Sequence, residues 1–246
     1  MKLYELTGVR AIQDKDLIQL LADISAKDSK FKKVGEGANA YVLSHSNGMI
    51  YKFWVKDSAY DSFINHVEKN QDDEHLPKLK SKVKELHSFF NKPADFPDKI
   101  KYIKMEKLTG IMSMDMIPGS KNLKIVDTID HIYHELKTRF RHFKQSPGQQ
   151  AVILGRILDD FTQFEGGELT EETKAIIASL IKTLEGIKNI PDIRKHMSDL
   201  HSGNIMKRGN TIVIIDPISN DDDMTFNANL ETQLKKLNKE LRNETK

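Results

Sequence analysis

Cysteine is absent from the 246-residue chain, which excludes disulfide scaffolds, thiolate zinc sites and cysteine nucleophiles and fits a reducing compartment. An excess of one charge sign is also lacking. Lys+Arg 38 against Asp+Glu 36 leaves a formal net charge of +2, so no field for capturing a polyanion follows. Long apolar runs are missing too. The longest, residues 175–181 with Ser179 inside it, spans about seven residues, whereas a bilayer span needs about 20. The opening residues carry an early Glu5 and no apolar core, so no signal peptide is expected. No repeat period or low-complexity tract occurs. What remains is 30% charged and 38% hydrophobic, a composition of soluble globular proteins. The length suits one large domain or two smaller lobes. A cytoplasmic protein with neither membrane nor nucleic-acid partners is expected.

Hydrophobic periodicity then divides the chain. Residues 14–27 carry Leu17, Ile18, Leu20, Leu21 and Ile24 at helical spacing. Residues 31–56 instead read as strand, glycine-rich loop, strand, turn and strand, with Ser46, Asn47 and Gly48 forming the hairpin turn. A helix is predicted over 58–71 and another between Lys78 and Phe90. Residues 101–108 read as a strand leaving into a linker, and 113–118 as a further short strand. Segments 122–144, 148–164 and 170–188 have helical patterns, separated by Ser146-Pro-Gly148 and by Gly166-Gly167. Two short strands follow around the Arg208-Gly-Asn210 turn. Leu230, Leu234, Leu237 and Leu241 predict an amphipathic tail helix. Strands followed by helices argue for an α+β fold of two lobes, residues 1–108 and 109–246, with ligand bound between them.

Three features carry chemistry. Gly35 and Gly37 lie in a hairpin whose backbone can approach a phosphate closely, since glycine lacks a Cβ. The absence of Gly-x-x-x-x-Gly-Lys-Ser/Thr excludes a Walker loop, and the strand that follows, through Val42, excludes a Rossmann turn. Strand alternation groups Lys52 with Ile50 and Trp54. An ammonium among apolar side chains needs an anionic partner, either a carboxylate or a phosphate; on an exposed face it would simply sit in water. Glu68 is the preferred carboxylate, with Asp61, Asp72 and Glu74 as rivals. The third feature is the segment from His196 to Met206. Asp199 and Asn204 stand five apart, and Asp216 ends the apolar run of residues 212–215. One carboxylate can deprotonate a hydroxyl while an amide oxygen and a second carboxylate hold Mg²⁺. The nine histidines offer no transition-metal motif: His131 and His134 are three apart, and no His-Glu-x-x-His occurs.

At these residues the sequence resembles the protein-kinase-like fold. Gly35-Glu-Gly-Ala-Asn-Ala-Tyr-Val42 is similar to the kinase glycine-rich loop, Lys52 to the phosphate-gripping strand lysine, and Met105-Glu-Lys-Leu108 to the adenine-holding hinge. Asp199-Leu-His-Ser-Gly-Asn204 resembles the catalytic loop and Asp216 the metal-binding aspartate. The resemblance implies ATP and Mg²⁺ as cofactors. It implies Asp199 as catalytic base, with Lys52 and His201 in the catalytic group. Val34, Gly35, Gly37, Val42, Lys52, Glu68, Glu106 and Leu108 would contact ATP, and Asn204 and Asp216 the metal. Met197 replaces the usual histidine, Pro217 the usual phenylalanine, and His201 the protein-kinase lysine. The last change is similar to aminoglycoside-phosphotransferase-like kinases. The absence of Ala-Pro-Glu predicts no full activation segment. The string Asp-Leu-His-Ser-Gly-Asn-Ile-Met with Ile-Asp-Pro-Ile-Ser219 is especially similar to the early serine/threonine protein kinases of podovirus-type bacteriophages, which implies host protein substrates. A small-molecule kinase and a catalytically weak binding or inhibitory module are the rival expectations.

Overall fold

The computed structural model describes residues 30–36, 40–54, 57–85, 101–139, 147–190, 196–198 and 200–220. The expected leading and tail helices lie outside these residues.

β1 (Phe31–Glu36), β2 (Ala40–His45) and β3 (Ile50–Trp54) form the antiparallel meander expected from the sequence. The β2–β3 turn is built locally. Gly48 takes φ 80°, a conformation L side chains rarely adopt. Its N–H donates to the His45 carbonyl at 3.0 Å, and Asn47 Oδ1 accepts from the Met49 N–H at 3.0 Å. β4 (Lys84–Glu85) and β5 (Lys101–Met105) complete a five-stranded sheet of order β1-β2-β3-β5-β4. Tyr41, Leu43, Tyr51, Phe53, Trp54, Tyr102, Ile103 and Met105 are buried apolar residues of this sheet. The predicted helix between Lys78 and Phe90 is corrected within its described part: Lys84 pairs with Tyr102 and Glu85 with Lys101. Pairing to an available edge strand overrides a weak helical pattern.

The helical unit begins with α1 (Ser58–Lys69), which buries Ala59, Tyr60, Phe63, Ile64 and Val67. β6 (Thr109–Gly110) follows. Residues 113–118 form turns and one isolated bridge, Met116 to Lys124, in place of the expected strand. α2 (Ile125–Thr138), α3 (Pro147–Glu165) and α4 (Glu171–Lys188) then match the three expected helical segments. The described part of α2 is shorter than the 122–144 pattern, because Lys124 still has extended backbone at the N-cap. Thr170 caps α4, its side chain accepting from the Thr173 N–H at 3.1 Å. Gly119, with φ +80°, lies over this cap; an added Cβ would fall 2.7 Å from Thr170 Oγ1. Gly186 lets α4 approach α1 closely, since a Cβ there would stand 3.2 Å from the His66 ring. β8 (Ile205–Arg208) and β9 (Thr211–Ile214) form a hairpin beside β6, and β7 (His196–Ser198) pairs with β10 (Ile218–Asn220). The α+β organisation expected from the sequence is therefore present.

The chain divides into two units. Among the described residues, one takes in those within 30–58 and 80–107 together with Asn220, the other those within 59–79 and 108–219. The sequence reading placed residues 59–79 with the sheet, but α1 and the segment after it belong to the helical unit. The reason lies in long-range hydrogen bonds. His75 Nδ1 lies 2.7 Å from the Ile212 carbonyl, and the Ile214 N–H donates to the His75 carbonyl at 2.9 Å. Thr183 of α4 donates to Asp73 Oδ2 at 2.8 Å.

Candidate active site

In the sheet unit, the chain bulges between Lys33 and Gly35, and pairing resumes with Gly35 opposite Val42. Val34, at the bulge, is 52% exposed, a costly place for a large apolar side chain in water. Gly35 is not required by the sheet itself. An added Cβ would meet Val42 Cβ at 3.6 Å, an ordinary contact. Gly37 lies outside the described residues.

Val42, Lys52 and Ile103 stand side by side across β2, β3 and β5. Lys52 is 8% exposed. That removes the reading in which it sits in water, and it satisfies the premise that this ammonium requires polar or anionic company. Strand alternation puts it on the face with Ile50 and Trp54; Tyr51 and Phe53, on the other face, are buried as well. Met105 ends β5 in the core, Glu106 and Leu108 are half-buried, and the division between units falls after Lys107. Glu68 belongs to the helical unit and is exposed on α1, whereas Ile64, one turn before it, is fully buried.

In the helical unit, the hairpin and the loop before it assemble a second group. Asp199 lies outside the described residues. β7 precedes it directly, and β7 pairs with β10, which begins two residues after Asp216. The loop is tightened by the Asn204 N–H donating to the His201 carbonyl at 2.9 Å. The Ile215 N–H donates to the Asn204 carbonyl, also at 2.9 Å. Asn204 and Asp216 thus leave neighbouring strands of backbone. His201 orients the amide: its Nδ1 accepts from the Gly203 N–H at 3.0 Å, and its Nε2 lies 3.1 Å from Asn204 Nδ2. An amide oxygen and a carboxylate are the hard donors that Mg²⁺ takes.

β8 and β9 are held by residues that carried no functional expectation. Arg208 donates through Nη1 to the Glu74 carbonyl at 2.9 Å and through Nη2 to the Leu76 carbonyl at 3.0 Å. His75, 2% exposed, bridges to Ile212 across 137 positions. No local pattern signals a partner so remote. On the other edge, Lys207 Nζ donates to Asp115 Oδ2 at 2.9 Å. That bond, aided by the Met112 N–H, holds the Asp115 carboxyl below the usual carboxylate range.

No protein-family model matches the chain, and no curated protein does. Among solved structures, it is similar to the gentamicin–APH(2'')-IIa complex at 14% identity, covering 84% of this chain and 72% of that one, with a TM-score of 0.30. It is similar to an aminoglycoside-3'-phosphotransferase of type VIII at 14% identity, covering 81% and 75%, with a TM-score of 0.30. ADP-bound aminoglycoside phosphotransferase APH(2'')-Ib is similar at 14% identity, covering 87% and 74%, with a TM-score of 0.27. Among the described residues, no helix is long and apolar enough to cross a membrane.

Proposed function

We propose that the chain is an ATP-dependent phosphotransferase with a protein-kinase-like fold. The observation that carries this reading is the bond from the Ile215 N–H to the Asn204 carbonyl, which sets the two candidate metal ligands on adjoining backbone. Buried Lys52 supports it from the sheet unit. In this reading Asn204 and Asp216 hold Mg²⁺, which when bound neutralises charge on the phosphates. Lys52 binds phosphate oxygens, Glu68 is its carboxylate partner, and His201 positions Asn204. Val34, Gly35, Gly37 and Val42 cover the nucleotide, and Glu106 and Leu108 hold its base. Asp199 orients and deprotonates the acceptor hydroxyl. General-base catalysis of this kind contributes typically about 10²–10⁴-fold.

The acceptor we propose is a serine or threonine hydroxyl of a host protein, in a phage-encoded kinase acting in the bacterial cytoplasm. The support is the string of residues 199–206 with 215–219. A small-molecule acceptor is the second reading, favoured by His201 two positions after Asp199.

The test is transfer from labelled ATP with Mg²⁺ to a bacterial lysate and, in parallel, to gentamicin. Label in protein bands that is lost in Asp216→Ala and Asp199→Ala supports the first reading. Asp199→Ala should retain nucleotide binding. Label only in the aminoglycoside moves the acceptor to the second reading. Neither transfer nor ATP hydrolysis by the folded protein would leave a non-catalytic binding or inhibitory module and overturn both.

A further inference from the structure

Away from these residues, α2 and α3 bring three potential ligands together. His131 and Glu135 are one turn apart on α2, so both face the same way. Asp160 comes from α3. One ligand atom from each lies within 4.8 Å of the others. His131 Nε2 and Asp160 Oδ2 are 3.5 Å apart. Two donors each 2.0–2.1 Å from a tetrahedral ion lie roughly 3.3–3.4 Å apart, so this edge already has the spacing such an ion sets.

Glu135 makes the cluster more than a surface grouping. It is only 3% exposed. Arg139 Nε meets its Oε1 at 3.2 Å, while its buried Oε2 has no hydrogen-bond partner among the described residues. His131 Nε2 is likewise buried and without a hydrogen-bond partner among them. Leaving such atoms buried and unpaired is costly, because their lost hydration is not replaced. A His131–Asp160 ion pair would answer the imidazole but leave Glu135 Oε2 as it is. A cation answers all three groups at once. Aromatic rings flank the imidazole, with the Phe161 centroid at 5.1 Å and that of Phe164 at 5.6 Å.

We propose that His131, Glu135 and Asp160 bind a divalent transition-metal ion, best matched by Zn²⁺, that clips α2 to α3. Zn²⁺ accepts both imidazole nitrogen and carboxylate oxygen, so the three groups supply three ligands, with solvent as the fourth. The Arg139 contact orients Glu135 as an outer partner. The sequence expectation that no histidine serves a transition metal rested on motif spacing within one segment. This third ligand comes from another helix.

The full chain, stripped with chelator, would be titrated with Co²⁺ in excess Mg²⁺, followed by visible absorption, and then with Zn²⁺. One equivalent of Co²⁺ should develop d–d bands that Zn²⁺ bleaches. His131→Ala and Asp160→Asn should each remove the bands, whereas Asp216→Ala should keep them. Zn²⁺ should raise the unfolding temperature of the parent chain and leave that of Asp160→Asn unchanged. Asp160 is half-buried, so its amide variant serves if His131→Ala fails to fold. No bands in the parent chain, or bands unchanged in folded Asp160→Asn, would overturn the site. Phosphotransfer is not read in this experiment, so its outcome is separate from the proposed activity.

Discussion

Replacing Asp73 with alanine tests how the helical unit holds its hairpin. The carboxylate accepts two protein donors: the His75 N–H at 2.9 Å and the Thr183 hydroxyl, shared between its two oxygens at 2.9 and 2.8 Å. Each hydrogen bond to a charged group is worth about 1.5–3 kcal/mol net. Truncation loses both and leaves the His75 N–H without that acceptor. Thr183 keeps a weaker alternative, the Ser179 carbonyl at 3.2 Å, which trims the loss. The expected destabilisation is therefore about 3–5 kcal/mol. Thr183→Val removes one bond and should cost about half as much. Urea unfolding followed by circular dichroism reads both. The effect should reach beyond stability, because His75 ties this segment to Ile212 and Ile214, four residues and two residues before Asp216. A loss below about 1 kcal/mol in Asp73→Ala would refute the reasoning, since it would equate a charged two-donor acceptor with an ordinary surface residue.

Gly119→Ala should destabilise by more than about 1 kcal/mol, because an L side chain is strained at positive φ. It adds a positive-φ penalty to a Cβ that would lie 2.7 Å from the Thr170 hydroxyl, and a thermal melt unchanged from the parent would contradict the described cap. His66 supplies a pH dependence: burial, the largest cause, pushes its pKa below 6.5. The unfolded chain therefore takes up the proton first as pH falls, so stability is greatest above about pH 6.5 and declines below it. His66→Asn should flatten that decline between about pH 7.5 and 5.5 in denaturant titrations, and an equal decline in both proteins would exclude His66 as its source.

Legibility in the sequence tracked distance along the chain. The β2–β3 hairpin was plain because Asn47 and Gly48 build the turn from their own neighbours. The three long helices were plain because their buried faces repeat at helical spacing. β4 was not, since two residues become a strand only through Tyr102 and Lys101 on β5. The grouping of α1 with the helical unit was equally hidden, as Arg208 finds its carbonyl partners more than a hundred positions away. Of the candidate site, the chemical types at 52, 204 and 216 were legible. The contacts of His201 with Asn204 and Gly203 required coordinates.

The Gly48 turn has a consequence for how Lys52 finds its neighbours. Side chains alternate along a strand, so the residue facing Val42 on one side and Ile103 on the other is determined by how many residues the turn consumes. One inserted residue between Ser46 and Gly48, absorbed as a slip, would bring Tyr51 or Phe53 into that slot and send the ammonium to the opposite face. The lysine's address is a matter of arithmetic in a remote loop, and a chain with every candidate functional residue intact could lose it through a single codon.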